Sequence, residues 1–244
     1  KLLLEYGVQP DLLVCRTEHP LTRDLRNKIA LFCNVAPNAV IEARDASTIY
    51  EVPLLMEEEQ LDVVVLNHLG IQVTDLDLKK WKEFLHKFKH PKHEVRIGLV
   101  GKYVELKDSY KSISEAFIHA GAANDCKVVI EWIHSESIND ENVKEKFKGL
   151  RGVLVAPGFG QRGIEGKIAA IKYAREHNVP FFGICLGMQC AVIEFARNVI
   201  GFKDANSTEM NPGTTNPVID LLEAQKKITN KGGTMRLGAY PCNI

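Results

Sequence analysis

Residues 180–189, PFFGICLGMQ, contain the feature around which the rest of the chain is organised. Residues 181–184 form a short apolar run with the length of a buried parallel strand, and apolar residues at helical spacing follow it. Cys185 therefore stands at a strand-to-helix corner between Gly183 and Gly187, which is the cysteine form of the nucleophile elbow. The glycines allow a sharp turn, and the helix N-terminus favours a thiolate. The alternative is a buried structural cysteine at a strand end.

A glycine-rich loop, residues 158–163 (GFGQRG), lies between a predicted strand and a predicted helix. Its Gly-x-Gly-x-x-Gly spacing suggests a dinucleotide site, but such a site needs an acidic residue at the end of the next strand. The next strand ends instead in the elbow cysteine. We therefore interpret the loop as a source of backbone donors. The N–H groups of Gly158 and Leu186 would form an oxyanion hole, in which one donor is worth roughly a hundred- to a thousandfold in rate.

Strands and helices alternate along the second part of the chain, residues 95–244, which we predict to be one domain. Such alternation predicts an α/β fold with a parallel sheet flanked by helices, and ligands bind at the carboxyl edge of such sheets. The predicted elements are strand 95–100, helix 109–123, strand 127–133, helix 140–148, strand 152–155, helix 164–177, strand 180–184 and helix 187–200.

The first part of the chain, residues 1–78, has predicted strands, helices and a plausible core but begins without a natural N-terminal element, and we expect it to be the tail of a larger domain. We predict strands at 11–15 and 40–43, a helix at 22–33, and a helical segment at 47–69 interrupted by Pro53. The apolar face of the helix at 22–33 is predicted to consist of Leu25, Ile29 and Phe32.

Residues 79–94 are predicted to form a linker between the two domains. Lysines and histidines alternate there with Trp81, Phe84 and Phe88 at helical spacing. Basic residues among aromatic ones can indicate nucleic-acid binding. An amphipathic linker helix is the favoured interpretation, because no nucleic-acid motif accompanies the stretch.

Composition limits the classes of function. The chain has 244 residues, with 31 basic and 31 acidic side chains and a formal net charge of zero, which argues against a nucleic-acid or membrane partner. The 6 cysteines show no metal-ligand spacing, so we expect reduced thiols and no protein-bound metal. No secretion signal or membrane-length apolar run is visible, and we expect a cytoplasmic protein.

The sequence His134-Ser135-Glu136 has the spacing of a catalytic base and its orienting acid. It comes before the cysteine, at the end of a different predicted strand. We interpret it as a polar strand end and not as part of a catalytic triad.

Short segments along the whole chain share their sequences with one enzyme family. They are residues 9–16, 28–35, 100–105, 108–111, 157–160, 183–189, 204–209 and 232–238. Together they resemble the CTP synthases, whereas the elbow by itself indicates only a triad-type glutamine amidotransferase.

The resemblance implies a class I glutamine amidotransferase domain, flavodoxin-like in its sheet, preceded by the tail of a P-loop-type amidoligase domain. It implies ATP-dependent amination of UTP to CTP, with ammonia from glutamine hydrolysed through a cysteine thioester. ATP and Mg²⁺ would be required, with no organic cofactor. GTP would activate, CTP would inhibit, and the complete enzyme would be a homo-oligomer, a tetramer.

The resemblance also assigns roles to single residues. Cys185 would be the nucleophile, and Gly158 and Leu186 the oxyanion donors. Glutamine would also contact Gly187, Met188, Gln189 and Glu209, and the Glu209 carboxylate would hold its α-ammonium. The GTP effector would bind at Arg162, Gly163 and Glu165. Lys28 would contact UTP and CTP, and Arg44, Asp45 and Ala46 would contact ATP.

Two segments depart from the family pattern. Pro157 stands where the family usually has a glycine, and because proline has no N–H the oxyanion role falls to Gly158. The family's usual Lys-Asp-Val is Arg44-Asp45-Ala46 here, which is tolerable if the contacts run through backbone.

By resemblance, we expect the P-loop and the magnesium carboxylates to precede Lys1. The glutaminase His and Glu, and an arginine for the glutamine carboxylate, are expected after Ile244. The 244 residues alone are therefore expected to be a very poor glutaminase. Two alternatives stay open on the residues alone: a glutamine amidotransferase for another acceptor, and a non-catalytic regulatory module on the same fold.

Overall fold

The structure, a computed structural model, describes residues 2–221. Residues 232–238, one of the segments in the resemblance, lie outside the described residues. The chain divides between Lys89 and His90 into two compact units, each of which is described by itself. None of the helices in the described range combines the length and the apolar character that crossing a membrane would require.

The first unit is built on a short parallel sheet. Strands β1 and β2 pair so that Val14 lies beside Ile41, and Val40 and Ile41 are completely buried. The elements in chain order are α1 (Leu2–Glu5), β1 (Leu13–Thr17), α2 (Arg23–Cys33), β2 (Val40–Arg44), α3 (Val52–Glu58), α4 (Leu61–His68) and α5 (Lys79–Lys89), with 3-10 turns at Pro37–Ala39 and Ile49–Glu51.

The buried face of α2 differs from the one that apolar spacing predicts. Ala30 is buried, whereas Leu25 is 45 % and Phe32 80 % exposed. Arg26 is the reason, because its guanidinium donates to the Val40 carbonyl at 2.6 Å and to Glu59 at 2.7 Å. Charge-assisted bonds of this kind fix a helix orientation that an apolar pattern alone cannot reveal.

The helical segment after β2 is interrupted at a different residue from the predicted one. Pro53 lies in the first turn of α3, where its missing N–H costs nothing. The interruption falls at Gln60, whose backbone is left-handed with φ 55° between α3 and α4. The prediction of a break at Pro53 was therefore wrong.

The aromatic residues of α5 pack within the first unit. Phe84 and Phe88 contact the Tyr50 ring edge-on, with centroids 5.1 and 5.4 Å away, and the Trp81 indole N–H donates to the Tyr50 carbonyl at 2.9 Å. Stacking on a nucleic-acid base needs an exposed ring face. Their partial burial against Tyr50 supports the interpretation of this stretch as an amphipathic helix.

The second unit contains the predicted parallel sheet. Four strands pair in parallel in the order β4-β3-β5-β6, and helices pack against them. The elements are β3 (His93–Gly101), α6 (Lys111–Ala123), β4 (Cys126–His134), α7 (Val143–Lys146), β5 (Gly152–Val155), α8 (Ile164–Glu176), β6 (Phe181–Gly183), α9 (Leu186–Phe195), β7 (Asn206–Ser207) and β8 (Pro217–Ile219), with 3-10 turns at Lys107–Tyr110 and Ser135–Ser137 and a π-helical turn at Ala196–Ile200. The predicted α/β fold is thus confirmed.

Helices α8 and α9 enclose one side of the main core, and a buried ion pair joins them. The Glu194 side chain on α9 is 1 % exposed, and Arg175 on α8 donates to it at 2.8 Å. A carboxylate this deeply buried requires such a partner. The pair fixes the two helices that carry the glycine-rich loop and the elbow at their N-termini.

Strand β6 is less buried than its apolar sequence predicts. Phe181 is 36 % and Phe182 64 % exposed, so the prediction of a buried strand was wrong for this stretch. The strand forms one edge of the sheet that the structure describes, pairing with β5 alone. An edge strand lacks a neighbour on one side, and its side chains are correspondingly more open.

Candidate active site at the nucleophile elbow

Cys185 occupies a strained backbone conformation at the start of α9. Its φ is 52° and its ψ is −106°, and its side chain is exposed. For a residue other than glycine such a conformation costs on the order of 1–3 kcal/mol, and such strain concentrates at functional sites. The turn is held on both sides, because the Gly187 N–H donates to Ile184 at 2.9 Å and the Gln189 N–H donates to Cys185 at 3.0 Å.

The two glycines around the cysteine allow close contacts that no side chain could make. A Cβ on Gly183 would lie 2.6 Å from the Gly187 carbonyl carbon, and one on Gly187 would lie 2.2 Å from the Val155 carbonyl oxygen. Real Cβ atoms essentially never come this close. The motif therefore lets α9 begin directly against the end of β5, which brings Cys185 to the carboxyl edge of the sheet.

The two residues predicted to supply the oxyanion donors, Gly158 and Leu186, lie close together. A Cβ built on Gly158 would lie 3.7 Å from Leu186 Cδ2, so the glycine-rich loop borders the start of α9. Within the described part of the chain, neither the Gly158 nor the Leu186 N–H makes a hydrogen bond. Two unsatisfied donors beside an exposed thiol are the arrangement that stabilises a tetrahedral oxyanion.

The residues after the cysteine contribute in different ways. Leu186 packs its side chain into the core, 3 % exposed, and Gly187 is buried as well, so these two can present only backbone to a ligand. Met188 is 49 % exposed and Gln189 is half-buried, and their side chains remain accessible. Of the residues predicted to contact glutamine, Leu186 and Gly187 are therefore limited to backbone contacts, whereas Met188 and Gln189 can also use their side chains.

The segment that carries Glu209 is tied to the glycine-rich loop. The Gln161 side-chain amide donates to the Met210 carbonyl, and Met210 belongs to the same buried cluster as Leu186. Asp204 anchors the far end by accepting bonds from the Thr215 N–H and hydroxyl, which lower the pKa of its carboxyl to about 2. The structure therefore holds the half-buried Glu209 on a segment bound to both parts of the site.

The residues predicted to respond to GTP face different neighbours. Arg162 pairs with Glu136 at 3.1 Å and lies over the Tyr103 ring at 5.7 Å. Glu165 instead pairs with Arg197 at 2.9 Å. Gly163, with φ 75°, starts α8 between them, where a Cβ would lie 2.1 Å from the Ser135 hydroxyl. The structure brings Arg162, but not Glu165, to the aromatic ring beside the glycine-rich loop.

In the first unit, the Arg44-Asp45-Ala46 segment lines a cavity of about 560 Å³. Apolar side chains such as Ile49 and Leu55 line it together with Arg16, which pairs with Asp45 at 3.1 Å. A mostly apolar lining with a few polar groups is common in small-molecule sites. Lys28 lies exposed on α2 and is not one of the residues that line this cavity.

Residues 105–244 match the family "Glutamine amidotransferase class-I". The chain belongs to this family. Residues 1–71 match "CTP synthase N-terminus". This amidotransferase chain is 65 % identical to the CTP synthase of Cytophaga hutchinsonii over 245 residues, which is 100 % of the chain and 46 % of that protein. It is 56 % identical to the CTP synthase of Caldanaerobacter subterraneus, covering 100 % of the chain and 45 % of the relative.

A solved structure agrees with the family assignment. The glutaminase domain of Trypanosoma brucei CTPS with bound acivicin superimposes with a TM-score of 0.50 and 42 % identity, covering 53 % of this chain and 51 % of that one. The resemblance to CTP synthase that the motifs predict is confirmed. The amidotransferase chain spans less than half the length of the curated relatives described above.

The part of the chain that the structure describes contains no cluster of metal-ligating side chains. Among residues 2–221, no group of three or more histidine, cysteine, aspartate or glutamate side chains is placed to hold a metal ion. Magnesium prefers octahedral oxygen ligands, usually carboxylates together with substrate phosphates. We therefore assign no step of the reaction to the metal.

Several residues beside the site were not predicted from the sequence. Lys102, 5 % exposed, donates from Nζ to the Phe159 carbonyl of the glycine-rich loop, and Gln161 makes the bridge to Met210. Lys102 directly follows β3, and a polar residue at the carboxyl end of a parallel strand is a signal that could have identified it. Lys167 lies inside α8, where no sequence signal marks it.

His134 lies at the opposite edge of the sheet from the elbow. It ends β4, and β4 and β6 are the outer strands of the described sheet. Three strand spacings separate them, roughly 14 Å. The His134 ring instead accepts the Glu136 N–H at 3.3 Å and faces Glu105 at 3.7 Å. These positions support the interpretation that His134 is not the catalytic base.

We expect His134→Ala to leave the alkylation rate of Cys185 by acivicin within about twofold of the unchanged chain, because a base acts only within hydrogen-bond reach. The measurement is the rate of mass increase on the peptide that contains Cys185. His177→Ala, in the turn after α8, is the matched control. A tenfold loss in the His134 variant alone would make His134 the base after all.

Proposed function

We propose that this chain carries the nucleophile of the glutaminase site, and part of the amidoligase site, of a CTP synthase. The observation that carries the proposal is the strained, exposed Cys185 beside the unbonded N–H groups of Gly158 and Leu186. The complete enzyme would aminate UTP to CTP at the expense of ATP, with ammonia taken from glutamine. The relatives named CTP synthase support this assignment.

The proposed glutaminase half-reaction begins with the Cys185 thiolate. The sulfur attacks the carboxamide carbon of glutamine, and the carbonyl oxygen becomes an oxyanion that accepts bonds from Gly158 and Leu186. A general acid, for which the family resemblance implies a histidine, gives a proton to the nitrogen. Collapse of this intermediate then breaks the C–N bond, releases ammonia and leaves a thioester on Cys185. Water then attacks the thioester, releases glutamate and restores the thiol.

Glutamine binding is assigned to the segments on either side of the elbow. The Glu209 carboxylate would accept bonds from the α-ammonium, because a charged donor and a charged acceptor make the strongest hydrogen bonds. Gly187 presents backbone to the ligand, while Met188 and Gln189 present side chains. The half-buried position of Glu209 supports this role, since partial burial strengthens an ion pair.

Nucleotide binding is proposed on both units. The cavity at Arg44, Asp45 and Ala46 is proposed for the ATP base, because apolar and polar side chains line it together, and Lys28 is proposed for UTP and CTP. The GTP effector is assigned to Arg162, Gly163 and Glu165. Arg162 over the Tyr103 ring offers a cation and an aromatic face for a charged nucleotide.

Three further properties belong to the same proposal, by resemblance to the family. Catalysis would require Mg²⁺ together with ATP. The complete enzyme would be a homo-oligomer, a tetramer. Its location would be the cytoplasm.

The proposal is tested by treating the chain with acivicin and identifying the modified peptide by mass spectrometry. We expect one addition, on Cys185, and none in Cys185→Ala. Cys190 is an internal control, because burial raises the pKa of its thiol to about 11 and its side chain is inaccessible. Labelling spread over several cysteines would contradict the assignment of the nucleophile.

A second measurement tests the acceptor. We expect UTP, CTP or ATP to raise the melting temperature of a full-length CTP synthase that carries this segment. Ala46→Leu, which adds a larger side chain to the cavity lining, should weaken the ATP effect specifically. Labelling at Cys185 without a response to any nucleotide would indicate an amidotransferase with a different acceptor.

A further inference from the structure

Lys167 is a completely buried lysine close to the proposed oxyanion hole. It lies in the first turn of α8, with 0 % relative exposure, between Ile164 and Ile168 of the main core cluster. Its ammonium donates to the Ala156 carbonyl at 2.8 Å. A buried ammonium is costly to a fold unless it is paired, and the acceptor that Lys167 has among the described residues is a neutral carbonyl. Its position therefore requires an explanation other than stability.

The carbonyl that Lys167 binds controls the direction of the Gly158 N–H. The Ala156 N–H is already fixed, because it donates to Val100 at 2.9 Å, and the lysine fixes the carbonyl of the same residue. The ring of Pro157 then holds its own φ near −65°. Only the ψ torsion of Pro157 remains to set where the Gly158 N–H points.

A second ammonium holds the other end of the same loop. Lys102 Nζ donates to the Phe159 carbonyl, and its Cε lies 3.2 Å from the Cβ position of Gly158. Lys167 therefore binds the Ala156 carbonyl before Gly158, and Lys102 binds the Phe159 carbonyl after it. Their positive charges lie beside the place where the reaction develops negative charge, and such fixed charges are effective in a site with little water.

We propose that Lys167 is a positioning residue of the glutaminase site: its buried ammonium fixes the Ala156–Pro157 peptide and so aims the Gly158 N–H at the oxyanion. The inference rests on the proposed function, because it assumes that Gly158 serves the reaction at Cys185. Lys167 itself does not contact glutamine, and it acts through the loop.

The charge state of Lys167 makes the proposal sensitive to pH. Desolvation by burial lowers the pKa of this ammonium to about 8. Negative charge on Cys190 or Cys185 would raise this pKa, and the Lys102 ammonium lowers it further. A lowered pKa means that the charged form is present below about pH 8 and is lost as the pH rises through that value. The neutral amine keeps a weaker hydrogen bond to Ala156 and loses the positive field.

The test is Lys167→Met, which keeps the length of the side chain and is compatible with an apolar core. The matched control is Lys172→Met on the same helix, where the lysine pairs with Asp140 near the surface. In a full-length CTP synthase carrying this segment, we expect Lys167→Met to lower the glutamine-dependent kcat about 30- to 100-fold. A misdirected donor commonly has an effect of this size.

The expected signature separates positioning from structural damage. The KM for glutamine should stay within about twofold, and ammonia-dependent CTP formation should be unchanged. The fall in kcat of the unchanged enzyme above about pH 8 should be absent from the Lys167→Met profile and present in Lys172→Met. The rate of acivicin labelling at Cys185 should fall in parallel with kcat.

Three results would overturn the inference: an unchanged kcat, an equal loss of ammonia-dependent activity, or an unaltered pH profile. The proposed function fails separately. If Cys185→Ala retained glutamine-dependent activity, the nucleophile would be wrong whatever Lys167 does. If Cys185→Ala were inactive while Lys167→Met behaved like Lys172→Met, only the role of Lys167 would be wrong.

Discussion

Replacing Gly187 by alanine is expected to lower the rate at which acivicin alkylates Cys185 by at least about 100-fold. The new Cβ would lie 2.2 Å from the Val155 carbonyl oxygen and 2.9 Å from its carbon. That carbonyl is not free to retreat, because it ends β5 and accepts the Ile184 N–H at 3.1 Å. The elbow itself must therefore move away from the sheet. A displacement of about 1 Å between reacting groups commonly costs on the order of a hundredfold in rate.

The same substitution should also destabilise the second unit. Overpacking a close backbone contact costs roughly 1–3 kcal/mol, which appears as a lower urea midpoint. The fluorescence of Trp132, measured in a Trp81→Phe background, reports this unit alone. Gly213→Ala is the control, because its Cβ would lie 3.5 Å from the nearest atom. Retained labelling in Gly187→Ala would show that the elbow does not need its close contact with β5.

The elements around the elbow could be predicted because several local signals agree there. Apolar runs of strand length, helical spacing and glycines recur in the order strand, loop, helix, and the sheet they form is parallel as expected. The juxtaposition of Gly158 with Leu186 also followed from the sequence. Both lie just after parallel strands, and the carboxyl ends of such strands meet at one edge.

Features that depend on long-range polar contacts could not be predicted in this way. The inward face of α2 is set by Arg26, whose partners Val40 and Glu59 are distant in sequence. The burial of Lys167 could not be predicted either, because a lysine in a helix is expected to face solvent. Apolar periodicity contains no information on a charge that is buried for its hydrogen bonds.

The exposure of β6 illustrates a second reason why the sequence pattern does not predict burial. Its apolar sequence is consistent with a central strand, and burial depends on which strands and helices cover it in the fold. The short parallel pair β7–β8 was not predicted for a related reason. Strands of 2 and 3 residues are too short to show a period, and the pair is held instead by side chains such as Asp204.

The second large effect is expected for Glu209→Gln in a full-length CTP synthase that carries this segment. The substitution keeps the shape of the side chain and removes the charge that would bind the α-ammonium of glutamine. A hydrogen bond between charged groups is worth about 1.5–3 kcal/mol. The KM for glutamine should therefore rise roughly 10- to 150-fold, and discrimination against analogues without the ammonium should weaken to a similar degree.

The ammonia-dependent reaction shows whether Glu209 binds substrate or supports the fold. Free ammonia bypasses the glutaminase site, so CTP formation from ammonia should stay nearly unchanged in Glu209→Gln. The segment should also keep its position, because the bond from the Gln161 amide to Met210 and the Thr215 bonds to Asp204 remain in the variant. Glu176→Gln, an exposed carboxylate on α8, controls for the loss of one charge. Equal loss of the glutamine- and ammonia-dependent activities would show that Glu209 is structural, since a residue that only binds the ammonium of glutamine cannot affect a reaction without glutamine.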